Sequence, residues 1–513
     1  MTQRKEGRSA GVLLPLTMLP GPFGIGVLGK EAKEFADFLH AGGFSLWQIL
    51  PVEHVGESFS PYKCVSAFAG EPMLIDPRWL RDRNLVTDAD LDARCEGTEM
   101  NSVNYETVYD RQMVLLRTAF AHLPARLREE AARFDPFWLN DYALYMAIKE
   151  NYDLHPWFAW PDEALRRFEP KAVERARREY KSMIEFYRFV QWVFDAQWKE
   201  IRAYAAGRGI KFIGDLPFYV SEDSAEVWSR REMFTADEQG EITDVAGAPP
   251  DFFAPEGQLW GNPIYNWELM ERDDYAWWVE RMREGLDRYD YVRIDHFRGF
   301  ESYWKIPAGA GSAGEGKWVK GPGIKPFLAM KRELGDIPVI AEDLGATGPA
   351  VEELLNKAGF PGMRVMQFGI LGDEKHLPHR YEENNIAYTG THDNTTVLAF
   401  MYELSGDYRD KALFYCGYEG DWSRGGPGCG ICRAWIRLLY LTKARVVIVP
   451  VQDLLGYGSD TRTNIPGVPT GNWRFRITKN AVSEIDTGFC RRLAELTDRL
   501  PPSDKKESTP AQK

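Results

Sequence analysis

Apolar residues along this chain gather in eight short runs, and the longer stretches between them repeat at helical spacing. The runs are 10–14 (AGVLL), 46–50 (LWQIL), 211–215 (KFIGD), 291–295 (YVRID), 339–342 (VIAE), 363–368 (MRVMQF), 386–389 (IAYT) and 445–450 (RVVIVP). Their length and aromatic or branched content predict buried strands. Helices are predicted over 30–40, with Ala32, Phe35, Ala36 and Leu39 on one face, and over 348–358 and 432–443. Pro349 suits a first helical turn, where a missing N–H costs nothing. Strands alternating with helices imply βαβ units and a parallel sheet. Eight of them predict an α/β fold, a (β/α)8 TIM barrel. The alternative, a doubly wound open sheet, is the weaker reading because no GxGxxG opens a helix after the first strand.

Two gaps are too long for simple crossovers. Residues 51–209 are predicted to hold a mostly helical insertion, with helical spacing over 109–122, 141–149 and 171–206. The aromatic stripe of 171–206 reads as core. Residues 216–290 are predicted as loop and helix, including a Pro- and Gly-rich active-site loop at about 247–267. The expected organisation is one catalytic barrel domain over 1–500 with a disordered polar tail at 501–513.

Composition narrows the function. Acidic residues outnumber basic ones, 76 to 63, for a net charge of -13. That argues against nucleic acid or an anionic membrane as the main partner. No run of 18 apolar residues suggests a membrane span. The N-terminal apolar stretch is short and broken by Pro15 and Pro20, unlike a signal peptide. Six scattered cysteines suit a reducing, cytoplasmic setting, and Cys429-Gly-Ile-Cys432 reads as two ordinary thiols at a helix start. The 17 Trp, 23 Tyr and 28 Phe suit core packing or stacking on sugars, which composition cannot separate.

The chemistry sits at the strand ends. In a parallel barrel the functional groups lie at the C-terminal mouth. Asp215, Asp295-His296, Glu342-Asp343 and His392-Asp393 all fall at or just after strand ends, with Arg293 among them. A single such pair could be structural. Four acidic strand ends with two histidines and an arginine point to a reaction site. Clustered acids serve either a Mg²⁺ or Ca²⁺ site or glycoside transfer, in which one carboxylate attacks while another carries a proton. Flat faces at Tyr62, Phe252, Phe253, Trp260 and Tyr265 favour a sugar. Adjacent strand residues face opposite ways, so only one of Glu342 and Asp343 can face the mouth, and Glu342 is chosen. Asp76 reads as a turn residue, and His54 and His155 carry no assigned role.

At these residues the chain resembles the 4-alpha-glucanotransferases of the amylomaltase (disproportionating enzyme) type, in the alpha-amylase clan of glycoside hydrolases. The resemblance covers about 11–476 and rests on SPYKCVSAFAGEPMLIDP, FIGDLPFYVSEDSAEVW, GAPPDFFAPEGQLWGNPIYNW, VRIDHFRGF, AEDLG, GMRVMQFG and GTHDNTT, in that order. It implies a retaining transfer of alpha-1,4-glucan segments between maltooligosaccharides through a covalent glucosyl-enzyme. Asp295 would be the nucleophile, Glu342 the acid/base and Asp393 the third carboxylate. Arg293 would pair with the nucleophile, Tyr62, Asp215, Trp260, His296 and His392 would line donor subsites, and Asn464 would belong to an acceptor-side motif. No metal or organic cofactor is implied. The run THDNTT departs from the family's THDND, since Thr395 stands where an acid is usual. A glucan hydrolase on the same scaffold and a non-catalytic glucan-binding protein are the alternatives.

Overall fold

The computed structural model describes residues 7–237, 239–250, 256–345, 347–501 and 504. Within them all eight apolar runs form strands of one closed barrel. These are β1 (Ser9–Leu13), β2 (Leu46–Gln48), β3 (Lys211–Leu216), β4 (Tyr291–Ile294), β5 (Val339–Ala341), β6 (Gly362–Val365), β7 (Asn385–Tyr388) and β8 (Val446–Pro450). Each strand pairs in parallel with the next in sequence, and β8 closes on β1 with Ser9 opposite Val446. The barrel expectation holds. Two runs overshoot by two residues or more: 46–50 is strand only to Gln48, and 363–368 only to Val365, where Met366–Ile370 is a short helix. A continuous apolar run has no period with which to tell the two apart.

Leu13, Leu46, Ile213, Ile340, Ile386 and Ile448 fill the barrel's interior. Side chains alternate along a strand, so residues two further on also face inward. This rule carries the site: Ile213 predicts an inward Asp215, Ile340 an inward Glu342, and Tyr291 inward Arg293 and Asp295. The intervening Val292 and Ile294 are fully buried against the outer layer. Gly11 lets β1 approach β2, since a Cβ there would sit 2.6 Å from the Leu46 Cβ.

The helix predicted over 30–40 spans Lys30–Ala41 and buries Ala32, Phe35, Ala36, Phe38 and Leu39. Between β2 and β3 lie Tyr105–Ala121, Ala125–Arg133, Leu139–Asn151, Pro170–Glu179 and Lys181–Ala206. The pattern over 171–206 is thus two helices, broken at Tyr180. Phe186, Phe189, Val190, Val193 and Phe194 of its stripe are buried, and Trp192 is half-buried against them. Farther along the same helix, Trp198 packs at a tilt on Phe212 of β3, so the insertion ends as an outer helix of the barrel.

The second gap holds the expected helices, at Ala225–Ser229, Trp267–Arg272 and Ala276–Arg288, but also strands that the loop-and-helix reading did not include. Asp244–Ala248 and Gln258–Pro263 are strands, joined by Ser302–Pro307 and Lys317–Lys320 from beyond β4 in a four-stranded antiparallel sheet. Glycine, proline and small residues hide the alternation in DVAGA and QLWGNP, and the pairing partners lie far away in sequence. Gly430–Leu441 is a helix with Cys429 at its N-cap, and both Cys429 and Cys432 are buried. Among the described residues no helix is long and apolar enough to cross a membrane. Of the tail beyond residue 500, only Pro501 and Asp504 are described.

Candidate active site

The mouth begins with a register. Asp215 of β3 stands opposite Arg293 of β4, and Arg293 opposite Ile340 of β5. The Arg293 guanidinium donates from Nη1 to both Asp215 carboxylate oxygens at 2.6 Å and from Nη2 to Asp295 Oδ1 at 2.9 Å. Asp215 and Arg293 are buried, while 30% of the Asp295 side chain remains exposed. One cation therefore holds two acids. Burial raises the Asp215 carboxyl, and the guanidinium opposes that rise.

Glu342 follows β5 directly. Its backbone N–H donates to Ile294 O, and its carboxylate accepts from the backbone N–H of His296 and of Leu344, each at 2.8 Å. Neutral donors cannot hold an ionised acid as a guanidinium does. Burial, and then the charge of Asp295, push the Glu342 carboxyl up to about 7. Asp343 turns the other way, accepting from Met363 N at 2.7 Å and from Arg364 at 2.9 Å. Glu342 is therefore the one of the pair that faces the mouth.

Tyr62 reaches in from the first insertion. Its hydroxyl donates to Asp215 Oδ2 at 2.7 Å and lies 2.9 Å from His392 Nε2, with the two rings stacked. The loop that carries it is rooted by buried polar groups. Glu71 accepts from Val55 N, Glu226 accepts from Ser66 and Ala67, and the His54 ring bonds Tyr142 Oη. That gives His54 a supporting place which sequence reading left open. His392 Nε2 lies 3.4 Å from Asp393 Oδ2, and Asn464 Nδ2 donates to Asp393 Oδ1 at 2.6 Å. Arg462 caps the Asp393 carbonyl at 2.7 Å. The Thr395 hydroxyl, at the position of the family departure, donates to Glu403 Oε1, so its contact is with a carboxylate outside the cluster.

His296 has a left-handed backbone (φ 49°), which turns the chain sharply after Asp295. Burial lowers its imidazole to about 4, so it is neutral at neutral pH. Its Nε2 is buried and has no hydrogen-bond partner among the described residues. Trp260 stands edge-on to it, with centroids 5.0 Å apart, held by a bond from Trp260 Nε1 to Gln258.

The structure thus joins Asp295, Arg293, Asp215, Tyr62, His392, Asp393 and Asn464 in one chain of contacts, with Glu342 bonded to the backbone N–H of His296, next to Asp295, and Trp260 beside His296. Tyr265 does not belong there. It is 1% exposed, with its hydroxyl donating to Phe218 O, so its ring is core and offers no face to a sugar. Phe252 and Phe253 lie outside the described residues. Asp76 caps the helix Pro77–Arg81, in keeping with its turn reading. Arg462 and Trp473 were missed. Trp473 packs on Tyr62 and His392 at 5.9 and 6.1 Å. Their signal was the stretch RTNIPGVPTGNWRF, where only Asn464 was singled out. Among the described residues no group of three or more His, Cys, Asp or Glu is arranged to hold a metal ion.

Paired acids, one bonded to a guanidinium and one raised to about 7 by burial, suit attack at a sugar carbon with proton delivery to its leaving oxygen. A family model described as 4-alpha-glucanotransferase matches residues 14–481. The 4-alpha-glucanotransferases of Thermus thermophilus and Aquifex aeolicus are 42% and 43% identical over 505 and 496 residues, spanning 96% of this chain and 99% of each relative. A solved structure of amylomaltase from Streptococcus agalactiae in complex with acarbose matches at a TM-score of 0.92 and 37% identity, over 96% of this chain and 99% of that one. Amylomaltase from Corynebacterium glutamicum shares the fold at a TM-score of 0.77 and 18% identity, over 96% and 75%.

Proposed function

Because this chain belongs to the 4-alpha-glucanotransferase family and carries that activity, we propose that Asp295, Glu342 and Asp393 perform the transfer on alpha-1,4-linked maltooligosaccharides and glucans. The observation that carries the reading is the unequal treatment of two neighbouring acids. Arg293 binds Asp295, while Glu342 has only neutral donors.

In the first step the Glu342 carboxyl gives its proton to the glycosidic oxygen as an Asp295 carboxylate oxygen attacks the anomeric carbon. The C–O bond to the leaving segment breaks, that segment departs with a free 4-hydroxyl, and a glucosyl ester forms on Asp295. In the second step Glu342, now ionised, takes the proton of an acceptor's 4-hydroxyl. The acceptor oxygen displaces Asp295, and two inversions restore the alpha linkage. Asp393, with His392 and Asn464 beside it, binds hydroxyls of the reacting glucose. Tyr62 and Trp260 supply its apolar walls. A cytoplasmic location is part of this proposal and rests on the scattered spacing of the six cysteines.

Maltotriose tests the reading. Transfer yields glucose together with oligomers longer than the substrate, whereas glucose and maltose without elongation would make the protein a hydrolase. The proton donor is tested by pH. The Glu342 acid form is lost as pH rises through about 7. The donor kcat/KM is therefore expected to fall on the alkaline side with a midpoint near that value. A profile flat from pH 6 to about 8.5 would remove Glu342 from the acid role.

A further inference from the structure

Asp453 is a carboxylate that the transfer chemistry does not use. It lies just past β8 in the helix Val451–Leu455, is 1% exposed, and accepts two hydrogen bonds. Thr389 Oγ1 donates to Oδ2 at 2.6 Å, and the backbone N–H of Val397 donates to Oδ1 at 2.7 Å. Both donors are neutral. Burial alone pushes the carboxyl up to about 6, a sign that ionising it there is costly. Two neutral donors on a helix and a strand end could be served more cheaply, so the value of this group lies in what it ties together.

It ties the two ends of one loop. Thr389 directly follows β7, and Val397 opens the helix Val397–Glu403. Residues 390–396 between them carry His392 and Asp393. The loop's tip is fixed separately, by Arg462 on the Asp393 carbonyl and Asn464 on its carboxylate. Its descending limb is held by Gln367 on Thr395 O at 2.8 Å. Inside the loop Asn394 Oδ1 accepts from the backbone N–H and the hydroxyl of Thr391. Asp453 is the clamp that sets the span between the two limbs.

We propose that Asp453 is a positioning residue for the transfer reaction, acting through Thr389 and Val397 to hold Asp393 and His392 at the reacting sugar. The inference rests on the reading of Asp393 as the third acid. A misplacement of about 1 Å in such a group can cost on the order of 10²-fold in rate. Because Asp393 would act on the transition state, the loss should fall on kcat more than on KM.

The experiment uses the full chain and the maltotriose assay. Asp453→Ala is expected to lower kcat by about 10- to 100-fold with KM changed by less than about threefold. Asp453→Asn keeps an oxygen for Val397 N–H and offers an amide to Thr389, so it should recover to within about threefold of the parent. Thr389→Val removes one bond at nearly constant volume and should give an intermediate loss. It also serves if the alanine variant does not fold. The deciding comparison repeats Asp453→Ala in an Asp393→Asn background, where its further effect should shrink to about twofold or less. Equal factors in both backgrounds would mean a general structural role and overturn the inference. So would a kcat for Asp453→Ala within about twofold of the parent, or an asparagine variant as poor as the alanine. If Asp393→Asn alone leaves kcat unchanged, the underlying assignment of Asp393 has failed instead.

Discussion

Asp295→Asn is expected to abolish product formation from maltotriose, lowering kcat by roughly 10⁴-fold or more. The amide cannot attack the anomeric carbon, and no neighbouring group replaces it. Asp215, the other acid on the same guanidinium, is buried with both oxygens engaged by Arg293. Donor binding should survive, since Tyr62, His392, Asp393 and Trp260 are untouched. The substitution also removes the charge that, after burial, does most to raise Glu342. The Glu342 carboxyl should therefore titrate lower in the variant, which a pH titration followed by carboxylate NMR would detect. Unchanged turnover in Asp295→Asn would refute the mechanism, and an unchanged Glu342 titration would refute the electrostatic account of it.

Arg293→Ala should damage both stability and turnover. It deletes the cation between a fully buried Asp215 and the exposed end of Asp295. Breaking a buried pair from one side leaves an uncompensated charge, at about 3–5 kcal/mol. The Tyr62 hydroxyl still donates to Asp215, which puts the expected loss at the lower end. The variant can also relieve the charge by protonating Asp215, so its deficit should shrink as pH falls. Without the guanidinium, Asp295 loses the side chain that fixes its Oδ1, and kcat should fall by about 10²-fold or more. Arg293→Lys retains charge but not the fork, and one ammonium cannot serve both carboxylates in the same geometry. It should recover more of the thermal stability than of the activity. Thermal unfolding and maltotriose kinetics on the two variants test both parts.

Much of this was legible before any coordinates. The runs at 291–295 and 339–342 each end in an acid, and the period of two puts Asp295 and Glu342 inside the barrel with Arg293 two positions before the nucleophile. His392 and Asp393 were visible as polar residues after a strand. What escaped notice shares a cause. Asp453 carries no local pattern that separates it from ordinary helix residues, and Arg462 and Trp473 share with Asn464 a loop stretch that does not say which of its side chains turn inward. Their meaning comes from partners such as Tyr62, Asp393 and Thr389 that are distant in sequence. Tyr265 erred the other way: an aromatic in a Pro- and Gly-rich stretch looked open, and the packing of Phe218 and Trp278 around it made it core. The strands Asp244–Ala248 and Gln258–Pro263 depend on pairing with each other and with Ser302–Pro307, and neither has an alternation of its own.

The amino-acid pattern alone picked out the eight strands and the side of each strand on which the acids lie, because run length, branched content and the alternation of side chains are local, whereas closure rests on β8 meeting β1. The tertiary structure alone decided how those acids divide the work. Asp215 and Asp295 share one guanidinium across β3 and β4, while Glu342 meets only amide N–H groups and rises to about 7. A carboxyl's affinity for its proton depends on burial and on charges within a few ångströms, and those neighbours are brought together by folding rather than by order along the chain.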